Sequence, residues 1–193
     1  MKIYVHFSTE NLANVYVVSD NEGNGIIIDP AYIDRELVDI IENGDITIKA
    51  IFITHRHESH TAGVGTLMKI YPADIYASNN EIEGFRTKAL HDGDRIRIGS
   101  LEIEAILVPG HSIDSLVYRI GDAIFTGDTL FSGTIADTKG YIEKSLLTKS
   151  IRQRLMSLPD STLVYPGHGP ISKIRIERMF NVDLLESVGR FRK

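Results

Sequence analysis

Three histidines fall within six residues, in His55-Arg56-His57-Glu58-Ser59-His60, directly after the mostly apolar run Ile48 to Ile53. Imidazoles crowded this way repel one another when protonated, whereas a divalent cation turns the same geometry into coordination, at ~2.0 to 2.1 Å per nitrogen for zinc. In an extended segment residues i and i+2 share a side, so His55 and His57 can address one ion. His60 can reach a neighbouring position from the start of the next helix. A solvated polar loop that happens to be rich in histidine is the alternative, and three further segments weigh against it. His111 stands in Val108-Pro109-Gly110-His111-Ser112 and His168 in Tyr165-Pro166-Gly167-His168-Gly169-Pro170, each after a Pro-Gly turn closing a β-like run. Asp128, in Phe125-Thr126-Gly127-Asp128-Thr129-Leu130-Phe131, has the same relation to its own run. Three separate strand ends thus each carry a metal-compatible side chain into a loop, where active sites lie.

The elements that must position these side chains are legible as pattern. Lys2 to Phe7, Val15 to Val18 and Ile26 to Ile28 are short β-like runs with polar or Gly-containing breaks, the last running into Asp29-Pro30, and predict an antiparallel meander. Ile33, Leu37, Ile40 and Ile41 recur at helical spacing and stop at Asn43-Gly44. After the histidine cluster, Val64, Leu67, Met68 and Tyr71 predict a second amphipathic helix ended by Pro72, followed by a short strand at Asp74 to Ala77. A hairpin is predicted from Arg95 to Ile98 and Leu101 to Val108, then strands at Leu116 to Ile120 and Ala123 to Thr126. A helix from Ile142 to Leu158, a strand at Thr162 to Tyr165 and a C-terminal helix from about Lys173 complete the chain. With no repeat, linker or low-complexity stretch, the 193 residues predict a single α/β domain, 1–193, with mixed or antiparallel sheets.

Composition narrows the chemistry. There is no cysteine, so any metal must be held by nitrogen and oxygen, and thiol catalysis and disulfides are excluded. A net charge of -5 gives no reason to expect nucleic acid or an anionic membrane as partner. The N-terminus lacks the apolar stretch of a signal peptide and no run approaches the ~18 apolar residues of a membrane span, so a cytoplasmic protein acting on a small-molecule substrate is expected. The oligomeric state is not indicated.

Together, His55-x-His57-x-x-His60, Pro109-Gly110-His111, Gly127-Asp128-Thr129 and Pro166-Gly167-His168-Gly169 occur in the order and at the spacings of the metallo-β-lactamase superfamily. The chain resembles that family over nearly its whole length. Asn14 to Val18, Ile26 to Pro30 and Ile174 to Asn181 also look like the small single-domain hydrolases related to glyoxalase II. The resemblance implies a four-layer αβ/βα sandwich with the metal site at one edge between two sheets. It implies that His55, His57 and His111 hold a first ion, that Asp128 bridges, and that His60 and His168 hold a second. The cofactor implied is zinc, one or two ions, with iron as the alternative. The activity implied is hydrolysis, in which metal-bound hydroxide attacks a thioester or other activated acyl carbon. Of the seven histidines, His6 and His91 are left without a role, one as a strand residue and one as a turn-flanking surface residue.

The sequence also departs from the family pattern. The usual motif is His-x-His-x-Asp-His, and the aspartate position here is Ser59, which removes an anionic ligand from the second site. Glu58 is adjacent but should point the other way. Ser112-Ile113-Asp114-Ser115 replaces the more usual Thr-Pro-Gly-Ser. Asp114 is expected as a surface turn residue, the alternative being an approach to the metal loop. Ser132 to Lys139 lacks the arginine often found there, and the chain ends soon after its last helix, so specificity for a glutathione thioester is not carried over. The competing activity is that of a mononuclear iron persulfide dioxygenase-like enzyme, which on this resemblance uses His55, His111 and Asp128 and would not miss the carboxylate. A nuclease would want that carboxylate and a basic path for phosphates. A non-catalytic binding module is hard to reconcile with retention of every other ligand position.

Overall fold

The computed structural model describes residues 1–189. In chain order it contains β1 (Lys2–Ser8), β2 (Ala13–Ser19), β3 (Asn24–Ile28), α1 (Arg35–Asn43), β4 (Thr47–Phe52), α2 (Glu58–Thr61), α3 (Val64–Ile70), β5 (Asp74–Ala77), β6 (Glu81–Ile82), β7 (Phe85–Arg86) and β8 (Lys88–Ala89). The second half continues with β9 (Arg95–Ile98), β10 (Leu101–Leu107), β11 (Leu116–Ile120), β12 (Ala123–Gly127), α4 (Tyr141–Arg154), β13 (Leu163–Pro166), β14 (Ser172–Lys173), α5 (Ile174–Phe180) and α6 (Val182–Gly189). The strands form two six-stranded sheets, ordered β1-β2-β3-β4-β5-β8 and β14-β13-β12-β11-β10-β9, while β6 and β7 make a separate small hairpin.

Alternation along the strands decides the layering. In β2 and β3, Tyr16, Val18, Ile26 and Ile28 pack against Ile103, Ala105, Tyr118 and Phe125 of the second sheet, forming the core between the sheets. The opposite faces carry Val15, Val17 and Ile27 against Leu37 and Ile41 of α1 and Val64 and Leu67 of α3. On the far side, Val117, Ile124 and Val164 pack against Leu147 and Ile151 of α4. Helix, sheet, sheet, helix is the resulting order, the four-layer αβ/βα sandwich. β2, β3 and β12 are covered on both faces and therefore read as nearly continuous apolar runs.

The meander of β1, β2 and β3 is antiparallel as expected, and β4 joins β3 in parallel. α4 is shorter than the predicted span. The amides of Leu155 and Met156 both reach back to the carbonyl of Ile151, at 2.8 and 3.0 Å, which tightens the chain into a turn ahead of Pro159. The C-terminal helix is two helices. Asn181 leaves helical geometry with ψ 112°, and its Oδ1 accepts the Leu184 amide at 3.2 Å, so one residue ends α5 and caps α6. The β6–β7 hairpin, with Glu83 and Gly84 both at positive φ, was not anticipated. Among the described residues, no helix is long and apolar enough to cross a membrane.

Candidate metal centre

The side chains of the site stand on the loops, and in the case of His60 the short helix α2, that follow strand ends. β4 stops at Phe52, and the next residues are fixed by both sheets: the Tyr118 hydroxyl donates to the Ile53 carbonyl at 2.6 Å, and the Leu116 amide donates to the Thr54 carbonyl at 2.8 Å. On the other side of the edge, the Tyr16 hydroxyl and the Asn14 amide nitrogen both donate to the Pro166 carbonyl, at 2.5 and 3.0 Å. These two buried tyrosines therefore anchor the loops bearing His55 and His168. Close approach explains two of the glycines. At Gly127, whose φ is +47°, a side chain would run into Thr54. At Gly167 a Cβ would lie 2.6 Å from both Asp128 Oδ1 and His60 Cε1.

His55, His57, His111 and Asp128 each present one ligand atom, all within 4.8 Å of one another. His57 Nδ1 lies 2.9 Å from His55 Nε2 and 3.0 Å from His111 Nε2, while Asp128 Oδ2 lies 3.9 and 4.0 Å from those two Nε2 atoms. A tetrahedron with bonds of ~2.1 Å has edges of about 3.4 Å, and the four separations bracket that value. The surrounding hydrogen bonds fix the tautomers. Asp29 Oδ2 accepts the Thr54 hydroxyl proton at 2.7 Å, so Thr54 Oγ1, 3.0 Å from His55 Nδ1, can only accept there, and the His55 proton sits on Nδ1. His111 Nδ1 donates to the Asp137 carbonyl at 2.8 Å. Both Nε2 atoms therefore turn bare lone pairs towards His57 Nδ1, and a single proton on that nitrogen can satisfy only one of them. A cation satisfies all three.

His60, Asp128 and His168 form a second set. His60 Nδ1 donates to Asp29 Oδ2 at 3.0 Å, which leaves its buried Nε2 without a hydrogen-bond partner, 3.3 Å from Asp128 Oδ1. Set between the carboxylates of Asp29 and Asp128, this buried imidazole is favoured in its charged form, with an N–H on each nitrogen. His168 Nδ1 lies 2.7 Å from the same Oδ1. Asp128 thus turns Oδ2 to the first set and Oδ1 to the second, the placement of a bridging ligand. The donors are imidazole and carboxylate only, which suits zinc or iron.

The electrostatics of the metal-free chain differ between the two sets. Burial, together with the charge of neighbouring His60, pushes His55 down to about 3 despite Asp29 and Asp128. Burial and His111 lower His57. Burial works against the charged form of His60, yet Asp29 and Asp128 raise it to about 10. Burial also opposes ionisation of Asp128, but the hydrogen bond from His168 and the neighbouring His60 hold it well below the usual carboxylate range. In the first set, His55 and His57 are thus held towards the neutral form and Asp128 towards the ionised form, the protonation states that coordination requires.

All six residues singled out in the sequence thus converge. His91 is exposed in a turn, while His6 is buried in β1 beside Asp34 at 3.0 Å, away from the site. Asp114 is not the surface turn residue expected. It lies in a turn but is 6% exposed, held by Asn79 Nδ2 at 2.6 Å, by the Ser112 hydroxyl, and by Arg56 at 3.5 Å. Sequence reasoning missed Asp29, which sits at φ +51° and accepts the Thr54 amide at 2.8 Å as well as the bonds above. The available signal was an aspartate directly after the apolar run Ile26 to Ile28, where a buried carboxylate needs partners. It also missed how the Ser132 to Lys139 loop is strapped down. The Gly133 amide donates to Glu177 at 2.9 Å, Asn181 donates to the Thr134 carbonyl at 2.9 Å, and the Ile135 amide donates to Asp183 at 3.1 Å. That loop carries the carbonyl that orients His111.

With this fold and these two ligand sets in place, residues 8–168 match the family model of the metallo-β-lactamase superfamily, and the chain belongs to that superfamily. It is 33% identical over 162 residues to the probable polyketide biosynthesis zinc-dependent hydrolase BaeB of Bacillus velezensis, covering 79% of this chain and 71% of that one. It is 30% identical over 159 residues to the hydroxyacylglutathione hydrolase of Hahella chejuensis, covering 80% of this chain and 60% of that protein's length. The crystal structure of ETHE1 from Myxococcus xanthus superimposes with a TM-score of 0.86 and 28% identity, over 100% of this chain and 92% of that one.

Proposed function

We propose that this protein is a metal-dependent hydrolase of small thioester or otherwise activated acyl substrates. The observation that carries the reading is the set His55, His57, His111 and Asp128, in which the tautomers of His55 and His111 and the charge of Asp128 suit a divalent cation before one binds. Its likeness to a zinc-dependent hydrolase and to hydroxyacylglutathione hydrolases supports both the chemistry and the acyl class. A divalent ion bound there supplies Lewis acidity, bringing a bound water towards a pKa of ~7 and polarising a carbonyl oxygen.

The chain's own residues do the rest. Thr54 and the Asp137 carbonyl hold two imidazoles in place, so little reorganisation accompanies reaction. Asp128, ionised at neutral pH, accepts a hydrogen bond from the attacking water and orients it. His57, the exposed member of the set, opens onto a cleft of about 410 Å³ lined also by Arg56, Thr61, Glu83, Ser112 and Asp114, where the substrate is placed.

A mononuclear iron persulfide dioxygenase-like activity is the second reading, favoured by the completeness of His55, His111 and Asp128 as a set on their own. One experiment separates them. Metal content is measured on protein purified without added metal, and turnover of a thioester and ester panel is followed under strict anaerobiosis. Acyl release without oxygen is expected. One iron per chain, with oxygen uptake on a persulfide and no acyl release, would overturn the hydrolase reading.

A further inference from the structure

We propose that this chain retains one ion, in the set His55, His57, His111 and Asp128, and that the set His60, Asp128 and His168 does not retain a second. The inference rests on the metal-centre reading above but not on the reaction. The first set has four donors and the second has three, one of them the Asp128 carboxylate that the first set also uses. Two dications in a shared site would lie ~3.5 to 4 Å apart, and their repulsion is four times that of unit charges at the same distance. Anionic ligands must offset it, and here one carboxylate would serve both ions.

Among the described residues, no other carboxylate is placed to help. Ser59 is a half-buried residue of the short helix α2, and its hydroxyl carries no charge. Glu58, next to it, is exposed and belongs to neither set. Asp114 is committed to Asn79, Ser112 and Arg56. Asp29 reaches His60 from behind, through Nδ1, and spends its oxygens on that proton and on the two Thr54 donors. Nothing therefore replaces the anion that Ser59 lacks. Without a second ion, His168 remains a hydrogen-bond donor to Asp128 Oδ1.

The test is a count of retained ions. Chelator-treated protein is loaded with Co²⁺ or with Zn²⁺, desalted, and assayed for metal per chain, with Co²⁺ absorption following each equivalent. One retained ion is expected in the wild type and two in Ser59→Asp, with second-site affinity raised about tenfold or more. His168→Ala should still retain one ion, and His57→Ala should retain none. Two retained ions in the wild type would overturn the proposal while leaving the hydrolase reading intact. Loss of the single ion in His168→Ala would also overturn it, by placing the ion in the other set, and this arm stands even if Ser59→Asp does not fold. A folded Ser59→Asp that stays at one ion would overturn the role given to Ser59. A wild type that retains none would overturn the functional reading itself.

Discussion

Asp29 and His60, thirty-one positions apart in the chain, meet through a 3.0 Å hydrogen bond in the buried floor of the site. The same carboxylate holds Thr54, and Thr54 holds His55, so one anion aligns a ligand of each set. Outer partners of this kind typically contribute 10 to 100-fold to metal affinity. Asp29→Asn keeps the shape but loses the charge, and an affinity loss of about that size is expected in competition with a chromophoric chelator. Unchanged affinity in a folded variant would mean that Asp29 does not position the ligands.

His57→Ala removes the nitrogen that stands between His55 Nε2 and His111 Nε2, and retention of the ion should fall below detection after desalting. His91→Ala trims a side chain that is 85% exposed, and metal content should be unchanged. Equal metal content in the two variants would refute the assignment of His57.

Gly167→Ala places a methyl group 2.6 Å from Asp128 Oδ1 and His60 Cε1. Overpacking of this kind costs ~1 to 3 kcal/mol. The urea midpoint of the metal-free protein should fall accordingly, and its metal affinity should fall with it, because the displaced atoms belong to both ligand sets.

The raised value of His60 gives the metal-free protein a signed pH dependence. Burial disfavours its charge, but Asp29 and Asp128 lift it to about 10, so the group contributes stability fully below the ordinary histidine value of ~6.5 and loses it as pH rises through about 10. Between pH 7 and 9 the urea midpoint of the chelator-treated wild type should decline, and that of His60→Gln should decline less. Parallel pH profiles would contradict the charged form of His60 in the apo state.

Much of the site was legible because its chemistry is compressed into local motifs. Pro-Gly before His111 and His168, and Gly before Asp128, mark places where a strand must stop and the backbone must pass close to something. The patterning of strands and helices indicated an α/β chain with mixed or antiparallel sheets, and the four-layer sandwich followed from the family resemblance alone. What escaped depends on partners remote in sequence. Asp29 is meaningful only through Thr54 and His60, and the burial of Asp114 only through Asn79 and Arg56. Asn181 splits the last helix because its side chain is engaged by the Thr134 carbonyl and the Leu184 amide, which no periodicity reports. The β6–β7 strands are two residues long, too short for any alternation to register.

The candidate ligands of the first set divide evenly between the two sheets: His55 and His57 follow β4, whereas His111 and Asp128 follow β10 and β12. Neither half of the chain owns a complete shell. To a folding polypeptide an ion held by that set would thus be a cross-link between two hemispheres, formed only once they have docked face to face. Metal capture then becomes a clock for that docking: in refolding, ion uptake should lag the growth of strand signal and coincide with burial of the interface between the sheets.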